Sequence, residues 1–209
     1  MGLVLDQVEI RHGNTVIVAV DQKIAPGEVL TVMGPSGAGK STLLNYVIGR
    51  LSNDFSASGA VVLDGIDITR LSTEQRRIGI LFQDDLLFPH MSVAQNLSFG
   101  LRPEGGRADR SKKIESALAE IGLVGFGDRD PTTLSGGQKV RVAMMRMLLS
   151  EPRALLLDEP FSKLDMALRD QMRALVFGMA RQRSLPVLMV SHDMADAVAA
   201  GGQILNLRG

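Results

Sequence analysis

The chain has 209 residues, with 23 Lys and Arg against 23 Asp and Glu and hence no formal net charge at pH 7. At about 100–200 residues per domain this is one domain, or a core with one sizeable insertion. The 45% hydrophobic and 22% charged content excludes disorder as the main state, and the neutral overall balance gives no electrostatic footprint for wrapping a nucleic acid, which disfavours that role. With no cysteine, disulfides, zinc ribbons and thiol nucleophiles are excluded. No apolar run approaches the ~20 residues that span a bilayer. The opening MGLVLDQVEI carries Asp6 and no basic segment ahead of an apolar one, so neither a secretory signal nor a myristoylation site is read there, and a soluble cytoplasmic chain is expected.

LVLDQVEI and TVIVAVDQKI alternate apolar with polar residues around the break HGN at 12–14, which predicts two antiparallel strands joined by a turn. After the PGE turn at 26–28 comes VLTVM, a continuous apolar strand, and then a glycine-rich loop at 34–39. The next segment places Leu43, Leu44, Val47 and Ile48 on one helical face and stops near Gly49. From about residue 84 to 150 helical patterns dominate. Ser92 with Gln95 and Ser135 with Gln138 have capping-box spacing, and Val140, Ala143, Met144, Met147 and Leu148 form an apolar stripe. The basic cluster RADRSKK at 107–113 reads as the solvated start of a helix. The last third alternates strand and helix: ALLLD, the stripe Leu168, Met172, Leu175, Val176 and Met179, then PVLMV, a helix over 193–200, and QILNL. That alternation predicts parallel strands with right-handed crossovers.

GPSGAGKS at 34–41 fits the phosphate-binding loop. Its glycines let backbone N–H groups curl around an anion, and the following helix presents its positive end. Gly34, Pro35, Ser36, Gly37, Ala38, Gly39, Lys40, Ser41 and Thr42 are the candidate ATP-binding residues. Lys40 is expected to reach the β and γ phosphates, and Ser41 to coordinate Mg²⁺. LLLDEP at 155–160 ends a buried strand in two carboxylates, at the edge where parallel sheets bind ligands. Adjacent side chains of an extended chain diverge, so Asp158 is assigned to magnesium and Glu159 to the attacking water. Pro160 is expected to hold Glu159 extended.

LSGGQ at 134–138, lying between these two motifs, resembles the signature of the ATP-binding cassette family. Gln83 after ILF, SKLD at 162–165 and His192 after a late strand complete that family's set in order, and the resemblance covers essentially the whole chain. Taken singly, each of these has a plain reading: strand-end polar residue, helix caps, surface histidine. The resemblance implies a P-loop NTPase core of α/β class, with a mostly parallel sheet, an N-terminal antiparallel β part and an inserted helical subdomain. The division expected is 1–84 and 151–209 for the core and 85–150 for the subdomain.

The resemblance also implies roles. Gln83 would sense magnesium and the attacking water, and Glu159, His192, Gln83 and Lys40 would form the catalytic set. Ser135, Gly136, Gly137 and Gln138 would contact ATP from a second subunit, Asp165 would lie between subunits, and His192 would clamp the γ-phosphate. Two positions depart from the family: His12 stands where an aromatic, most often tyrosine, stacks on adenine, and Lys163 where a small residue is usual. ATP and Mg²⁺ are the implied cofactors. A head-to-tail homodimer is the implied assembly, on integral permease subunits at the inner face of the membrane and, through them, a solute-binding protein. The segment after Gln83 resembles importer subunits, with Leu86, Leu87, Phe88 and Met91 as permease contacts on an exposed loop. The chain ends soon after QILNL, where many importer subunits carry a regulatory domain. An importer ATPase for a small solute is therefore expected; a soluble ATPase acting on nucleic acid or the ribosome, or an exporter subunit, are the alternatives.

Overall fold

The computed structural model describes residues 2–83 and 87–207. In chain order, these form β1 (Leu3–His12), β2 (Thr15–Ile24), β3 (Val29–Met33), α1 (Lys40–Ile48), β4 (Phe55–Leu63), β5 (Ile66–Asp67) and β6 (Ile78–Leu81). After these come α2 (Val93–Gly100), α3 (Arg107–Glu120), a 3₁₀ turn at Pro131–Thr133 and α4 (Gly136–Leu148). The chain closes with β7 (Ala154–Asp158), α5 (Met166–Gln182), β8 (Val187–Val190), α6 (Met194–Ala200) and β9 (Gln203–Asn206).

Two sheets carry the architecture. The first is antiparallel, in the order β2-β1-β4-β5; the second has five strands in the order β6-β7-β8-β3-β9, parallel throughout. Helices α2 to α4 interrupt the path between neighbouring strands β6 and β7. The alternation expected at both ends of the chain is therefore present, and so is the helical insertion.

The parallel strands are apolar at successive positions because both of their faces are covered. Leu155, Leu157, Val187 and Met189 pack toward α4 and α5, whereas Ala154, Leu156, Leu188 and Val190 pack toward α1 and the antiparallel sheet. A strand's period of two sends neighbouring residues into opposite cores. Leu156 is fully buried, so its truncation to Ala would cost about 2–5 kcal/mol. The α1 face Leu43, Leu44, Val47 and Ile48 lies in the second core, as its spacing implies. Behind that helix, buried Arg76 donates to the carbonyls of Tyr46 (2.9 Å) and Val47 (2.8 Å), satisfying groups that a helix C-terminus leaves open. Both expected capping boxes form, at Ser92 with Gln95 and at Ser135 with Gln138. Among the described residues no helix is long and apolar enough to cross a membrane.

Candidate nucleotide site

The loop at 34–39 leaves the C-terminal end of β3 and enters α1 through Gly39, whose φ is +84°. A side chain is excluded there twice over: that φ disfavours one, and a Cβ would stand 2.6 Å from Val18 Cγ2 of β2. Lys40 opens α1, and its Nζ donates to the carbonyls of Gly34 (2.7 Å) and Pro35 (2.8 Å), so the cation folds back over the loop. A cavity of about 670 Å³ lies over this turn, lined by Gly34, Pro35, Ser36, Gly37, Gly39, Lys40, Ser41 and Thr42 together with His12, Ile17, Phe55, Glu159 and His192. Ala38 is buried beneath it.

Glu159 and His192 reach the cavity from neighbouring strands. His192 Nδ1 lies 3.1 Å from Glu159 Oε1. The expectation of an extended Glu159 is corrected: its φ is +46°. Its N–H donates to Val190 O (3.0 Å), and its carbonyl accepts from Ser162 N (3.2 Å) and Ser162 Oγ (2.9 Å). The turn into 162–165 thus outweighs the bias from Pro160, at a strain of about 1–3 kcal/mol. The two carboxylates are nevertheless separated in place, since Glu159 lines the cavity and Asp158 does not. Burial at the strand end, with Glu159 beside it, raises the Asp158 carboxyl above its ordinary value, while Lys40 opposes that rise.

Gln83 is exposed just beyond β6 and, like Asp158, is absent from the cavity wall. The pairing of Leu81 with Leu157 sets the ends of β6 and β7 side by side, which brings both residues to the same sheet edge. Ser135, Gly136, Gly137 and Gln138 begin α4 outside the cavity. Ser135 Oγ accepts from Gln138 N (3.4 Å), and Gln138 Oε1 accepts from Ser135 N (2.9 Å). A Cβ on Gly137 would meet Leu168 Cδ1 at 2.6 Å, so this helix start packs closely against the Leu168 side chain of α5. Asp165 caps α5 through Leu168 N (3.0 Å).

A family model described as ABC transporter matches residues 17–162. The chain belongs to the ABC transporter family. As an ATP-binding cassette it binds and hydrolyses ATP. It is 48% identical over 188 residues to the uncharacterized ABC transporter ATP-binding protein YnjD of Escherichia coli (strain K12), covering 90% of this chain and 86% of that one. It is 39% identical to the Fe(3+) ions import ATP-binding protein FbpC 1 of Haemophilus influenzae, over 97% of this chain but 62% of the relative. The spermidine/putrescine import protein PotA of Aggregatibacter actinomycetemcomitans is 40% identical, over 93% of this chain and 52% of the relative. The chain thus spans between half and two thirds of these two import proteins. The solved structure of cbiO1 from Clostridium perfringens, part of the complex cbiONQ, superposes with a TM-score of 0.86 at 29% identity, over 99% of this chain and 85% of that one.

Two cavity residues of this ABC cassette escape a reading of the sequence. Phe55, at the start of β4, faces His12 across the antiparallel register, with ring centroids 5.4 Å apart; Ile17 lies on β2 beside them. Only the pairing of β1 with β4 reveals that Phe55 supplies a second ring. The segment after Gln83 also differs from the exposed loop expected. Leu86 lies outside the described residues, and Leu87, Phe88 and Met91 are half-buried. Asn96, fully buried, accepts from Phe88 N (2.9 Å) and donates to the carbonyls of Phe88 (3.1 Å) and Met91 (3.2 Å). The Phe88 ring meets Phe99 edge-on at 4.8 Å, and Arg146 lies over it. Phe99 itself is 65% exposed. Its position two residues after buried Leu97, off the buried face of α2, is a signal that the sequence does carry.

Proposed function

We propose that this cassette is the ATPase subunit of an importer for a small solute, acting as a head-to-tail homodimer on integral permease subunits at the inner face of the membrane. The observation that carries the dimer is the separation of two anion cradles. The phosphate loop, Glu159 and His192 share one cavity, while Ser135–Gln138, at the positive end of α4, stands outside it. Two copies related by a two-fold axis would bring each cradle against the other kind, completing two sites. The roles of FbpC, PotA and cbiO1 support the importer reading and the permease partners, and a solute-binding protein would join through the permease.

Within each site Lys40 would neutralise the β and γ phosphates and His192 would hold the γ-phosphate. His12 and Phe55 would stack on the base. Water attacks the γ-phosphorus, Glu159 accepts its proton, and the bond to ADP breaks, releasing phosphate. Among the described residues no group of three or more His, Asp or Glu could cage a metal. Asp158, a half-buried carboxylate whose ionised form is disfavoured, fits Mg²⁺ carried on phosphates, which takes one or two carboxylates and keeps its waters. Ser41, Gln83 and Asp158 would hold it, and bound Mg²⁺ would neutralise charge on the phosphates.

Gel filtration tests the two-chain site. ATP, and not ADP, should double the apparent mass of Glu159→Gln. A variant that stays monomeric in saturating ATP, beside a wild type whose specific activity is independent of its concentration, would overturn the dimer. Purification of the complex from detergent-solubilised membranes, with uptake reconstituted in vesicles, tests the importer.

A further inference from the structure

His192 is held by its neighbours. Its own side chain is 62% exposed, with Glu159 at 3.1 Å, so where the imidazole points depends on the backbone at 191–193. On one side, buried Ser191 donates its Oγ proton to Asp196 Oδ2, and Asp196 is paired with Arg173. On the other, Asp193 N donates to Ser191 Oγ (3.0 Å), and Asp193 Oδ1 caps α6 through Ala195 N (2.8 Å). Asp193 Oδ2 then takes two guanidinium groups, Arg173 at 3.1 Å and Arg169 at 3.3 Å.

Arg169 has a second set of partners. Its Nε donates to Leu164 O (2.8 Å) and its Nη2 to Ser162 O (3.1 Å). Those carbonyls belong to the loop that Glu159 begins, through the bonds from Ser162 to the Glu159 carbonyl. One planar cation therefore binds the loop leaving Glu159 and the loop carrying His192 at the same time. A guanidinium has donors fixed in a fork that can serve three acceptors in one plane; an ammonium on a flexible stem does not reproduce this.

We propose that Arg169 is a positioning residue of the ATPase site, holding Ser162–Leu164 and Asp193 together so that His192 stays in register with Glu159. The proposal rests on the reading that Glu159 and His192 carry the hydrolysis. Arg169 does not line the phosphate-loop cavity, and its hydrogen bonds go to Leu164, Ser162 and Asp193, so it acts on turnover through His192 and leaves ATP binding to the phosphate loop.

Steady-state kinetics and equilibrium ATP titration of Arg169→Ala, Arg169→Lys, His192→Ala and the double variant Arg169→Ala/His192→Ala test this role. Arg169→Ala should retain wild-type ATP affinity and KM and lose about 10- to 100-fold in kcat, the size of effect expected from misplacing a group by about 1 Å. Arg169→Lys should restore the melting temperature and little of kcat. The double variant should be no slower than His192→Ala alone, because the two changes remove one effect. Wild-type kcat in Arg169→Lys, or losses that multiply in the double variant, overturn the proposal. Should Arg169→Ala fail to fold, the Lys variant and its combination with His192→Ala supply the same two comparisons. Full turnover by both Glu159→Gln and His192→Ala overturns the underlying assignment, and the proposal with it.

Discussion

Glu159 Oε1 and His192 Nδ1, 3.1 Å apart, join the ends of adjacent parallel strands β7 and β8 at the wall of the phosphate-loop cavity. On the proposed reading, the pair would place a proton acceptor and a γ-phosphate anchor together. Glu159→Gln preserves shape but cannot accept a proton from water, so turnover should fall by about 10²–10⁴-fold while ATP binding persists. Phosphate release under steady-state conditions measures it, and near-normal hydrolysis would remove Glu159 from the role.

Lys40 and His192 should fail differently. Lys40 is almost fully buried and bonded to two loop carbonyls. On the proposed reading its loss also removes charge-assisted bonds to the phosphates, worth about 1.5–3 kcal/mol each, so Lys40→Ala should bind ATP weakly. His192→Ala should bind ATP normally and turn over slowly. An equal loss of affinity in the two titrations would make His192 structural.

The rings of His12 and Phe55 form one side of the cavity. Phe55→Ala should weaken ATP by about 0.5–1.5 kcal/mol, and His12→Tyr should tighten it by a similar amount. Inorganic triphosphate, which has no base, should bind both variants as it binds the wild type. If Phe55→Ala loses triphosphate as well, the ring serves the fold and not the base.

Asp158 carries a stability cost at neutral pH. Its folded-state value is raised, first by burial and then by Glu159, so its ionised form is a cost to the folded state. That cost is absent below the unfolded value of about 3.9, grows between the two values, and is complete above the folded one. Asp158→Asn should therefore raise the melting temperature of the nucleotide-free protein at neutral pH while reducing the further rise produced by ATP with Mg²⁺. Thermal melts with and without the nucleotide test both halves; a lower melting temperature for the variant alone contradicts the sign.

Phe99 is a cleaner probe of permease docking than Leu87 or Phe88. The Phe88 ring packs on Phe99 and under Arg146 of α4, so changing it disturbs the helical insertion. Phe99→Ser alters a ring that is mostly exposed and should remove an anchor worth on the order of 2 kcal/mol. ATP hydrolysis by the isolated chain should be unchanged, while co-purification with the permease and uptake fall together. Wild-type uptake would move the docking surface elsewhere.

Much of this protein is legible in local chemistry. The glycine spacing at 34–39, the carboxylates ending an apolar strand at 158 and 159, and the capping boxes at Ser92 and Ser135 act over a few residues, so their order along the chain is enough to read them. The conformation of Glu159 is not legible in this way, because a local bias from Pro160 competes with bonds to Val190 and Ser162, and Val190 lies on another strand. Phe55 is hidden for a related reason: it becomes a partner of His12 only when β1 pairs with β4 in one register, and registers between distant strands are set by packing of the whole sheet. Likewise, the half-burial of Leu87 depends on the core cluster that it packs against, and that of Phe88 on Phe99 and Arg146 arriving from α2 and α4. The sequence alone determined which groups can bind phosphate and accept a proton; the tertiary structure decided which of them meet, because side chains far apart in the chain are brought together only by packing.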